Sequence, residues 1–277
     1  MPLFFNKANP VLVAGIINLS PDSFYGDSRC DTESAALKKA EQFACEGADM
    51  LDVGAESSRP GSQPIPSDLE LVRLLPVVSS LRKSIGIPLS VDTSKPGIAE
   101  RVLDKGVEWI NDITGLQKHD DMAPLIARYK AGVIMMHMQG TPATMQDNPQ
   151  YQDLIGEIIQ YLKRSIAIAE SAGIASDRMI IDPGVGFGKT VEHNLELLRR
   201  LDEFKVLNKP LLLGVSRKAF IGNVLGLPVD ERLEGSLAAA VIGVMKGVRI
   251  LRVHDVKETV RAVKMAQAIM NSERGER

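Results

Sequence analysis

The chain has 277 residues, of which 44% are hydrophobic and 25% are charged, and its formal net charge is −2. This composition is that of a soluble globular enzyme, and the small net charge argues against an electrostatic nucleic-acid or membrane partner. Two cysteines are too few for a disulfide scaffold, the N-terminus lacks the apolar run of a signal peptide, and no later run approaches the length of a membrane span. We therefore expect a cytoplasmic protein.

Short apolar runs rich in β-branched residues alternate with amphipathic helical stretches along the whole chain. Such runs are typical of parallel strands buried on both faces. They lie at residues 11–18, 50–56, 87–93, 109–114, 132–138, 179–184, 210–216 and 248–254. Because no linker interrupts this rhythm, residues 1–277 are predicted to form a single (β/α)8 barrel domain, with a doubly wound sheet as the alternative. Thr32, Ser67 and Ser94 occupy positions where helix N-caps are expected.

The connections that follow strands are longer than those that precede them. Strands lead into residues 19–31, 57–68 and 139–152, whereas the helix-to-strand turns EGADM, DKGVEW and MKGVR are short. A (β/α)8 barrel carries its active site on the loops at the carboxyl ends of its strands. The long loops therefore predict that the chemistry lies on that side.

Polar residues stand at the carboxyl end of nearly every predicted strand. They are Asn18, Glu56 with Arg59, Asp92, Asn111 with Asp112, His137, Asp182, Ser216 with Lys218, and Arg252 with His254. Any single Asp or Asn here has an alternative role as a helix cap, and a lone histidine among methionines is typical of a structural residue. Their convergence on one rim favours a binding site for the group as a whole.

These residues divide into two kinds of chemistry. One group offers fixed donors and acceptors that suit a flat, nitrogen-rich heterocycle, and it consists of Asp92, Asn111, Asp182 and Lys218. The other group suits a polyanion, because the planar fork of arginine matches phosphate oxygens, and it consists of Asn18, Arg59, Arg252 and His254. The amide oxygen of Asn18 also suits Mg²⁺, a hard ion that keeps phosphates as ligands.

Other chemistries find less support. The stretch DPGVGFGKT at residues 182–190 resembles a phosphate-binding loop, but Pro183 stands where the first glycine of a P-loop is required. Lys189 stands where the dinucleotide fingerprint requires its third glycine. The four histidines lack the spacing of zinc ligands. A Schiff-base role for Lys218 stays open at this stage.

Eight stretches of the chain resemble, in order, the signature motifs of the dihydropteroate synthase family. They are NLSPDSF, GAESSRPGS, SVDTSKP, INDITG, MHMQGTP, DPGVGFGK, SRKAFIG and RVHDV. The resemblance runs from about Val11 to the last helix. It implies a (β/α)8 barrel that joins 6-hydroxymethyl-7,8-dihydropterin diphosphate to p-aminobenzoate with the help of Mg²⁺, releasing pyrophosphate. It also implies competition by sulfonamides and a homodimer.

The resemblance assigns roles to individual residues. The implied pterin-binding residues are Asp92, Asn111, Asp182, Lys218 and Arg252. The implied diphosphate residues are Asn18, Ser58, Arg59, Arg252 and His254, and Asn18 is also the implied Mg²⁺ ligand. The implied wall of the p-aminobenzoate pocket is Phe24, Pro60, Phe187 and Lys218. The implied catalytic groups are Asp92, Asp182, Lys218 and Arg252.

The sequence departs from the family pattern at three places. The first long loop reads PDSFYGDS where PDSFSDGG is usual, which displaces the loop acid to Asp27. Ser58 replaces the common threonine, and Ala219 stands where a serine often follows the lysine and contacts the aminobenzoate carboxylate. Backbone N–H groups at that helix start offer another way to hold the carboxylate.

Two alternative functions share the barrel and the pterin site. A pterin-dependent corrinoid methyltransferase has no diphosphate to bind, so the predicted polyanion residues argue against it. A non-catalytic pterin-binding paralogue should have lost some of the polar residues, and all of them are present.

Overall fold

A computed structural model describes residues 11–20, residue 30 and residues 32–272. Its strands are β1 (Leu12–Asn18), β2 (Met50–Gly54), β3 (Leu89–Asp92), β4 (Trp109–Asp112), β5 (Gly132–Met136), β6 (Met179–Asp182), β7 (Leu212–Leu213) and β8 (Ile250–Val253). They form one sheet in the order β6-β5-β4-β3-β2-β1-β8-β7, in which each neighbouring pair is parallel. A parallel bridge between Ile181 and Leu211 joins the two edges. The (β/α)8 barrel is confirmed, and the doubly wound alternative is wrong.

The helices surround the strands on the outside of the barrel. They are α1 (Glu33–Glu46), α2 (Ser67–Ser84), α3 (Pro96–Leu103), α4 (Met122–Arg128), α5 (Leu154–Ser171), α6 (Val191–Arg199), α7 (Ala219–Leu225), α8 (Leu233–Met245) and α9 (Val256–Ser272). Two helices, α7 and α8, lie between β7 and β8. None of the helices in the described part of the chain combines the length and apolar character that crossing a bilayer requires.

The helix starts confirm one predicted cap and contradict two. Thr32 caps α1, because its Oγ1 accepts a hydrogen bond from the backbone N–H of Ala35 at 3.1 Å. Ser67 is already the first helical residue of α2, and Lys95 rather than Ser94 precedes α3. Pro96 occupies the first helical position of α3, where its fixed φ suits the helix and its missing N–H needs no partner.

The apolar core has two layers that follow the strand periodicity. A small inner cluster consists of Leu12, Ala14, Met50, Trp109, Ile134, Ile180, Leu212 and Ile250, all from strands. A larger cluster packs the alternate strand residues against the helices. Since successive strand side chains point to opposite faces, a residue two positions after an inner-cluster member also points into the barrel. The inner cluster closes the amino-terminal part of the barrel and leaves its carboxyl-terminal end to polar residues.

Candidate active site

Alternate residues of each strand point into the barrel, and those nearest the carboxyl ends of the strands are polar. In β8, Arg252 follows the inner-cluster residue Ile250 by two positions, and in β6 Asp182 follows Ile180 in the same way. The other polar residues on this inward face are Asn18, Asp52, Asp92 and Asn111. The alternation that buries a strand on both faces therefore also builds the floor of the site.

The guanidinium of Arg252 links two carboxylates on neighbouring strands. Its Nε donates to Asp52 Oδ2 at 2.5 Å, and its Nη2 donates to Asp92 Oδ2 at 3.0 Å. Asn111 Nδ2 donates to the same Asp52 oxygen at 3.2 Å. Burial raises the pKa of Asp92 to about 7, with Arg252 opposing the rise and Asp52 adding to it. The Asp92 carboxyl is thus held near the point where it changes charge.

Asp182 is the last residue of β6, and its side chain is buried. Its Oδ1 accepts the Gly184 N–H at 2.7 Å, and its backbone oxygen accepts the His137 N–H at 3.0 Å. Burial raises the pKa of Asp182, against the lowering effects of the Gly184 hydrogen bond and of the cations Lys218 and Arg252. Among the described residues, none donates a hydrogen bond to Oδ2. One carboxylate oxygen is therefore available to a ligand.

The loop after β6 depends on glycine. Gly184, Gly186 and Gly188 have φ values of 69°, 83° and 61°, in the left-handed region. A Cβ on Gly184 would lie 1.9 Å from the His137 carbonyl oxygen, and one on Gly188 would lie 2.5 Å from that of Gln139. The glycines therefore let this loop pack closely on the loop after β5.

Lys218 and Phe187 meet above this loop. The Lys218 ammonium lies 4.1 Å from the centroid of the Phe187 ring and donates to the Val185 carbonyl oxygen at 2.9 Å. Burial lowers the pKa of Lys218 to about 8, and the Asp182 charge limits the drop. Phe187 also packs against the cluster Met136, Met138 and Met145. The ring is thereby held as one wall of the site.

His254 is a neutral imidazole in this arrangement. Burial and the nearby Arg252, Arg217 and Lys218 lower the pKa of His254 to about 3. Its Nδ1 lies 3.0 Å from Ser216 Oγ, and its backbone N–H donates to the same oxygen at 3.2 Å. At neutral pH the ring therefore acts through hydrogen bonding and carries no charge.

A cavity of about 620 Å³ brings most of the predicted residues together. Those that line it are Asn18, Ser58, Arg59, Pro60, Asp92, Phe187, Lys218, Arg252 and His254. Two predicted residues, Asn111 on β4 and Asp182 on β6, are buried and do not belong to this lining. Phe24 and the altered loop at residues 25–27 lie outside the described residues. Ala219 also lines the cavity.

Two of the strand-end residues serve the scaffold. The Glu56 carboxylate accepts the Ile65 N–H at 3.0 Å and pairs with Lys95 at 2.5 Å, which holds the loop after β2. Asp112 accepts hydrogen bonds from the backbone N–H groups of Thr114 and Leu116 at 2.8 and 2.9 Å. For these residues the alternative role as structural caps and ties is the right one.

Arg217, which precedes Lys218, turns away from the cavity. Its guanidinium forms a two-point ion pair with Asp255, at 2.9 Å for both contacts, and also donates to the carbonyl oxygens of Val229 and Asp230. Its own φ of 54° is in the left-handed region. The strained turn directs Lys218 toward the cavity and Arg217 toward the start of α9.

Sequence reasoning missed two buried charges at the site. Asp52 lies inside its strand and not at the strand end, yet a carboxylate in the middle of the apolar run MLDVG is itself an indication of function. It is 1% exposed, and its Oδ1 has no hydrogen-bond partner in the described part of the chain. Lys189 has no predicted role beyond its mismatch to the dinucleotide fingerprint, although it is 2% exposed and lines the cavity.

The cavity offers few ligands to a metal ion. Within the described ranges, no three His, Cys, Asp or Glu side chains form a group that could hold a metal. Asn18, at the end of β1, lines the cavity together with Arg59 and Arg252. A single amide oxygen beside cationic residues suits an ion that takes most of its ligands from phosphate and water, as Mg²⁺ does.

Comparison with known proteins gives consistent matches. Residues 14–254 match the family model described as pterin binding enzyme. A dihydropteroate synthase from Escherichia coli K12 is 43% identical over 267 residues, which cover 96% of this chain and 94% of that protein. The Yersinia pestis dihydropteroate synthase, solved with a sulfonamide drug, matches with a TM-score of 0.91 and 41% identity over 95% of each chain. The Thermus thermophilus dihydropteroate synthase, solved in complex with 4-aminobenzoate, matches with a TM-score of 0.84 and 43% identity over 94% of each chain.

Proposed function

The chain belongs to the dihydropteroate synthase family of pterin-binding enzymes, and we propose that the cavity at the carboxyl ends of its strands performs that family's reaction. The enzyme condenses 6-hydroxymethyl-7,8-dihydropterin diphosphate with p-aminobenzoate to 7,8-dihydropteroate and releases pyrophosphate. The single observation that carries the placement of the site is the cavity lining, where the heterocycle-binding, polyanion-binding and aromatic residues meet. The corrinoid methyltransferase and the non-catalytic paralogue have no such observation in their favour.

The pterin ring binds at the floor of the cavity. Asp182 Oδ2 accepts N–H bonds from the guanidine-like edge of the ring, and Asp92 accepts a further ring N–H. Asn111 supplies an amide that can donate and accept on the same edge. Support comes from the buried positions of these groups and from the one Asp182 oxygen that no described residue engages. Lys218 reaches the opposite edge of the ring as a donor.

The diphosphate binds at the mouth of the cavity. Arg59 and Arg252 supply the positive charge, and the planar fork of each can take two phosphate oxygens. Ser58 adds a hydroxyl, and neutral His254 adds an N–H donor. Arg252 also lies against the ring face, because its partners Asp52 and Asp92 hold it over the floor.

Mg²⁺ is the proposed cofactor, with Asn18 as its protein ligand. The donor set fits, because one amide oxygen leaves the remaining positions to diphosphate oxygens and water. When bound, the ion neutralises charge that develops on the departing diphosphate. The residues of this chain orient the diphosphate. Arg59 and Arg252 hold its oxygens in place, and Asn18 would hold the ion beside it.

p-Aminobenzoate binds against the aromatic wall. Phe187 and Pro60 line the cavity with Lys218 between the wall and the floor, and Phe24 is proposed to complete the pocket. Sulfonamides, which resemble this substrate in shape, compete for the same place. In the reaction, the amine nitrogen forms a bond to the pterin methylene carbon and then loses a proton. The electrons of the broken C–O bond leave with pyrophosphate.

Bond breaking is proposed to run ahead of attack. The ring can spread positive charge from the methylene carbon, whereas the aromatic amine is a weak nucleophile. Asp92 and Asp182 lie where they stabilise a developing cation, and Arg59 and Arg252 stabilise the leaving group. Lys218 acts by hydrogen bonding in this scheme, which makes the Schiff-base role unnecessary.

The enzyme is also proposed to be a homodimer. Large apolar side chains are exposed on the consecutive helices α7, α8 and α9, and they are Val224, Leu225, Ile242, Met245, Met265 and Ile269. An apolar face of this kind is typical of a protein interface. Light scattering on the wild type and on a variant with Ile242→Lys and Met245→Lys tests this, since the charges should give a monomer.

The cytoplasm is the proposed location. Cys30 and Cys45, the two cysteines of the chain, are not joined to each other. Two cysteines that form no disulfide with each other are typical of proteins from a reducing compartment.

An assay for pyrophosphate tests the function directly. Purified protein with Mg²⁺ should release pyrophosphate only when both substrates are present, and 7,8-dihydropteroate should form in equal amount. Omission of p-aminobenzoate and omission of Mg²⁺ are the controls. Release that does not depend on p-aminobenzoate, or the absence of any release, would contradict the assignment.

A further inference from the structure

Lys189 is a buried lysine that lines the cavity. Its side chain is 2% exposed, and no carboxylate in the described part of the chain lies within ion-pair distance of its ammonium. Instead Nζ has three neighbours: the Gly184 carbonyl oxygen at 2.9 Å, the Phe187 carbonyl oxygen at 3.0 Å and His137 Nδ1 at 3.0 Å. These three acceptors use all three N–H bonds of an ammonium. A buried cation is costly, so its complete coordination indicates a specific role.

The three contacts tie one turn to the neighbouring strand. The Phe187 N–H donates to the Gly184 carbonyl oxygen at 3.1 Å, so residues 184–187 form a turn. Lys189 binds the carbonyl groups at both ends of that turn. His137 follows β5, and its backbone N–H also donates to the Asp182 carbonyl oxygen. The ammonium therefore joins the Phe187 turn to the chain that follows β5.

Other hydrogen bonds hold the rest of the same loop. Asn194 Oδ1 accepts the Gly186 N–H at 2.7 Å, and Gln146 Nε2 donates to the Gly186 carbonyl oxygen at 2.8 Å. Tyr151 donates its hydroxyl to the Gly188 carbonyl oxygen at 2.7 Å. The side chains of Asn194, Gln146 and Tyr151 bind Gly186 and Gly188. Among these four side chains of the described part of the chain, Lys189 alone carries a positive charge and alone binds the backbone of Phe187.

The protonation states favour His137 as the hydrogen-bond acceptor and Lys189 as the donor. Burial and the Lys189 charge lower the pKa of His137 well below its usual value, so its Nδ1 can accept. Burial lowers the pKa of Lys189 to about 7, and the negative charge of Asp182 limits that drop. The groups that face the ammonium from the packed elements are therefore His137, Asp182 and Lys218.

We propose that Lys189, together with His137, is a positioning residue for the second substrate. It holds the Phe187 turn in place and thereby sets the affinity of the site for p-aminobenzoate, while its own ammonium is engaged by protein acceptors. This inference rests on the proposed placement of p-aminobenzoate against Phe187. The pterin floor depends less on Lys189, because Asp182 is held by the pairing of β5 with β6 and by the Gly184 N–H.

The first test is Lys189→Met, which keeps an unbranched side chain one atom shorter and removes the ammonium with its three donors. All three acceptors lose the ammonium, and within the described residues only the Gly184 carbonyl oxygen keeps another donor, the Phe187 N–H. We therefore expect the KM for p-aminobenzoate to rise about ten-fold or more. The dissociation constant of the pterin substrate, measured by calorimetry with Mg²⁺, should change by less than about three-fold. A proportionate loss of both affinities, or an unchanged KM, would overturn the proposal.

A pair of substitutions at His137 tests the same idea without removing the lysine. His137→Asn keeps an acceptor near the position of Nδ1, and His137→Leu removes it. We expect the asparagine variant to keep a KM for p-aminobenzoate within about three-fold of wild type, and the leucine variant to raise it as Lys189→Met does. Equal KM values in the two variants would count against the role of this contact. This pair also decides the matter if Lys189→Met fails to fold.

Lys209→Met provides a matched control. The Lys209 side chain is 6% exposed and contacts Glu170 and Ser176, before β7 and away from the cavity. Its loss should lower thermal stability and leave both substrate constants unchanged. A KM increase in this control equal to that of Lys189→Met would show a general effect of lost stability and refute the positioning role. Activity of the wild type in the two-substrate assay separates failure of this inference from failure of the proposed function.

Discussion

Arg252 on β8 and Asp52 on β2 form an ion pair inside the barrel, with Nε 2.5 Å from Oδ2. Asp52 is 1% exposed, whereas Arg252 lines the cavity. The buried member of the pair thus orients the member that lines the cavity. Asn111 donates to the same Asp52 oxygen, so one carboxylate positions two of the proposed pterin-binding residues.

The first prediction is that Asp52→Asn lowers kcat/KM about ten-fold or more, because a charge-assisted hydrogen bond is worth roughly 1.5–3 kcal/mol. Steady-state kinetics with both substrates measures the loss. Glu108→Gln is the matched control, since it weakens the Arg82–Glu108 pair just before β4, away from the cavity lining. Wild-type kinetics in Asp52→Asn would show that Arg252 needs no such support.

Asp182→Asn should weaken pterin binding while the fold survives. The substitution replaces a carboxylate oxygen that accepts ring N–H bonds with a group that is neutral, at a cost of roughly 1.5–3 kcal/mol, or about ten-fold or more in affinity. Calorimetry with the pterin measures the change, and circular dichroism checks the fold. Unchanged pterin binding by the folded variant would contradict the assignment of Asp182 as a pterin-binding residue.

Arg252→Lys keeps the charge but loses the planar fork and the stacking surface of the guanidinium. A lysine ammonium can reach Asp52 or Asp92 but does not offer the same two-point geometry to both carboxylates and to the diphosphate. We expect a large loss of turnover in the pyrophosphate assay. Near wild-type release from this variant would show that a point charge is enough.

Pterin affinity should have a bell-shaped dependence on pH. The pKa of Asp92 is raised to about 7, so a fall in pH through 7 protonates an acceptor that the ring N–H requires, and binding weakens. The pKa of Lys218 is lowered to about 8, so a rise in pH through 8 removes a donor proton and its charge. Calorimetry between pH 5.5 and 9 (roughly the window set by these groups) measures the profile. In the Asp92→Asn variant, the loss of pterin affinity at acid pH should disappear while the loss at alkaline pH remains. If the loss at acid pH persists in this variant, another group causes it.

Binding is expected to be ordered, with the pterin diphosphate first. Pro60 and the neighbouring Arg59 lie on an exposed loop, and the diphosphate that Arg59 holds should settle this loop against the p-aminobenzoate pocket. Titration of p-aminobenzoate into free enzyme should therefore show weaker binding than titration into enzyme with a pterin, Mg²⁺ and pyrophosphate. Equal affinities in the two titrations would refute the ordered model.

The alternation of strands and helices could be predicted from the sequence because it depends on the local pattern of apolar and polar residues. Alternating apolar runs and amphipathic stretches record which faces are buried, and the long loops after strands record the side on which the site lies. The grouping of Asp92, Asn111, Asp182 and Lys218 followed from the same logic, since parallel strands end at one rim, whereas Arg252 joined the pterin-binding set through motif resemblance. Motif resemblance then supplied the reaction.

Other assignments required the tertiary structure, because they depend on partners that are distant in the chain. Glu56 stands at a strand end in the sequence just as Asp92 does, and only the structure shows that Glu56 is tied to Lys95. The partner of His137, Lys189, lies 52 residues further along the chain. Asp52 is separated from Arg252 by 200 residues, so no local pattern could pair them.

The sequence by itself thus determined the barrel, the side that carries the site and the set of residues on its rim, because strand periodicity and chain order are local properties. Only the tertiary structure decided which polar residues face the cavity and which hold the scaffold. It also set the protonation of the buried groups, such as the neutral His254 and the raised pKa of Asp92. Burial and the charges of neighbouring strands cause these shifts, and both arise only when the barrel closes.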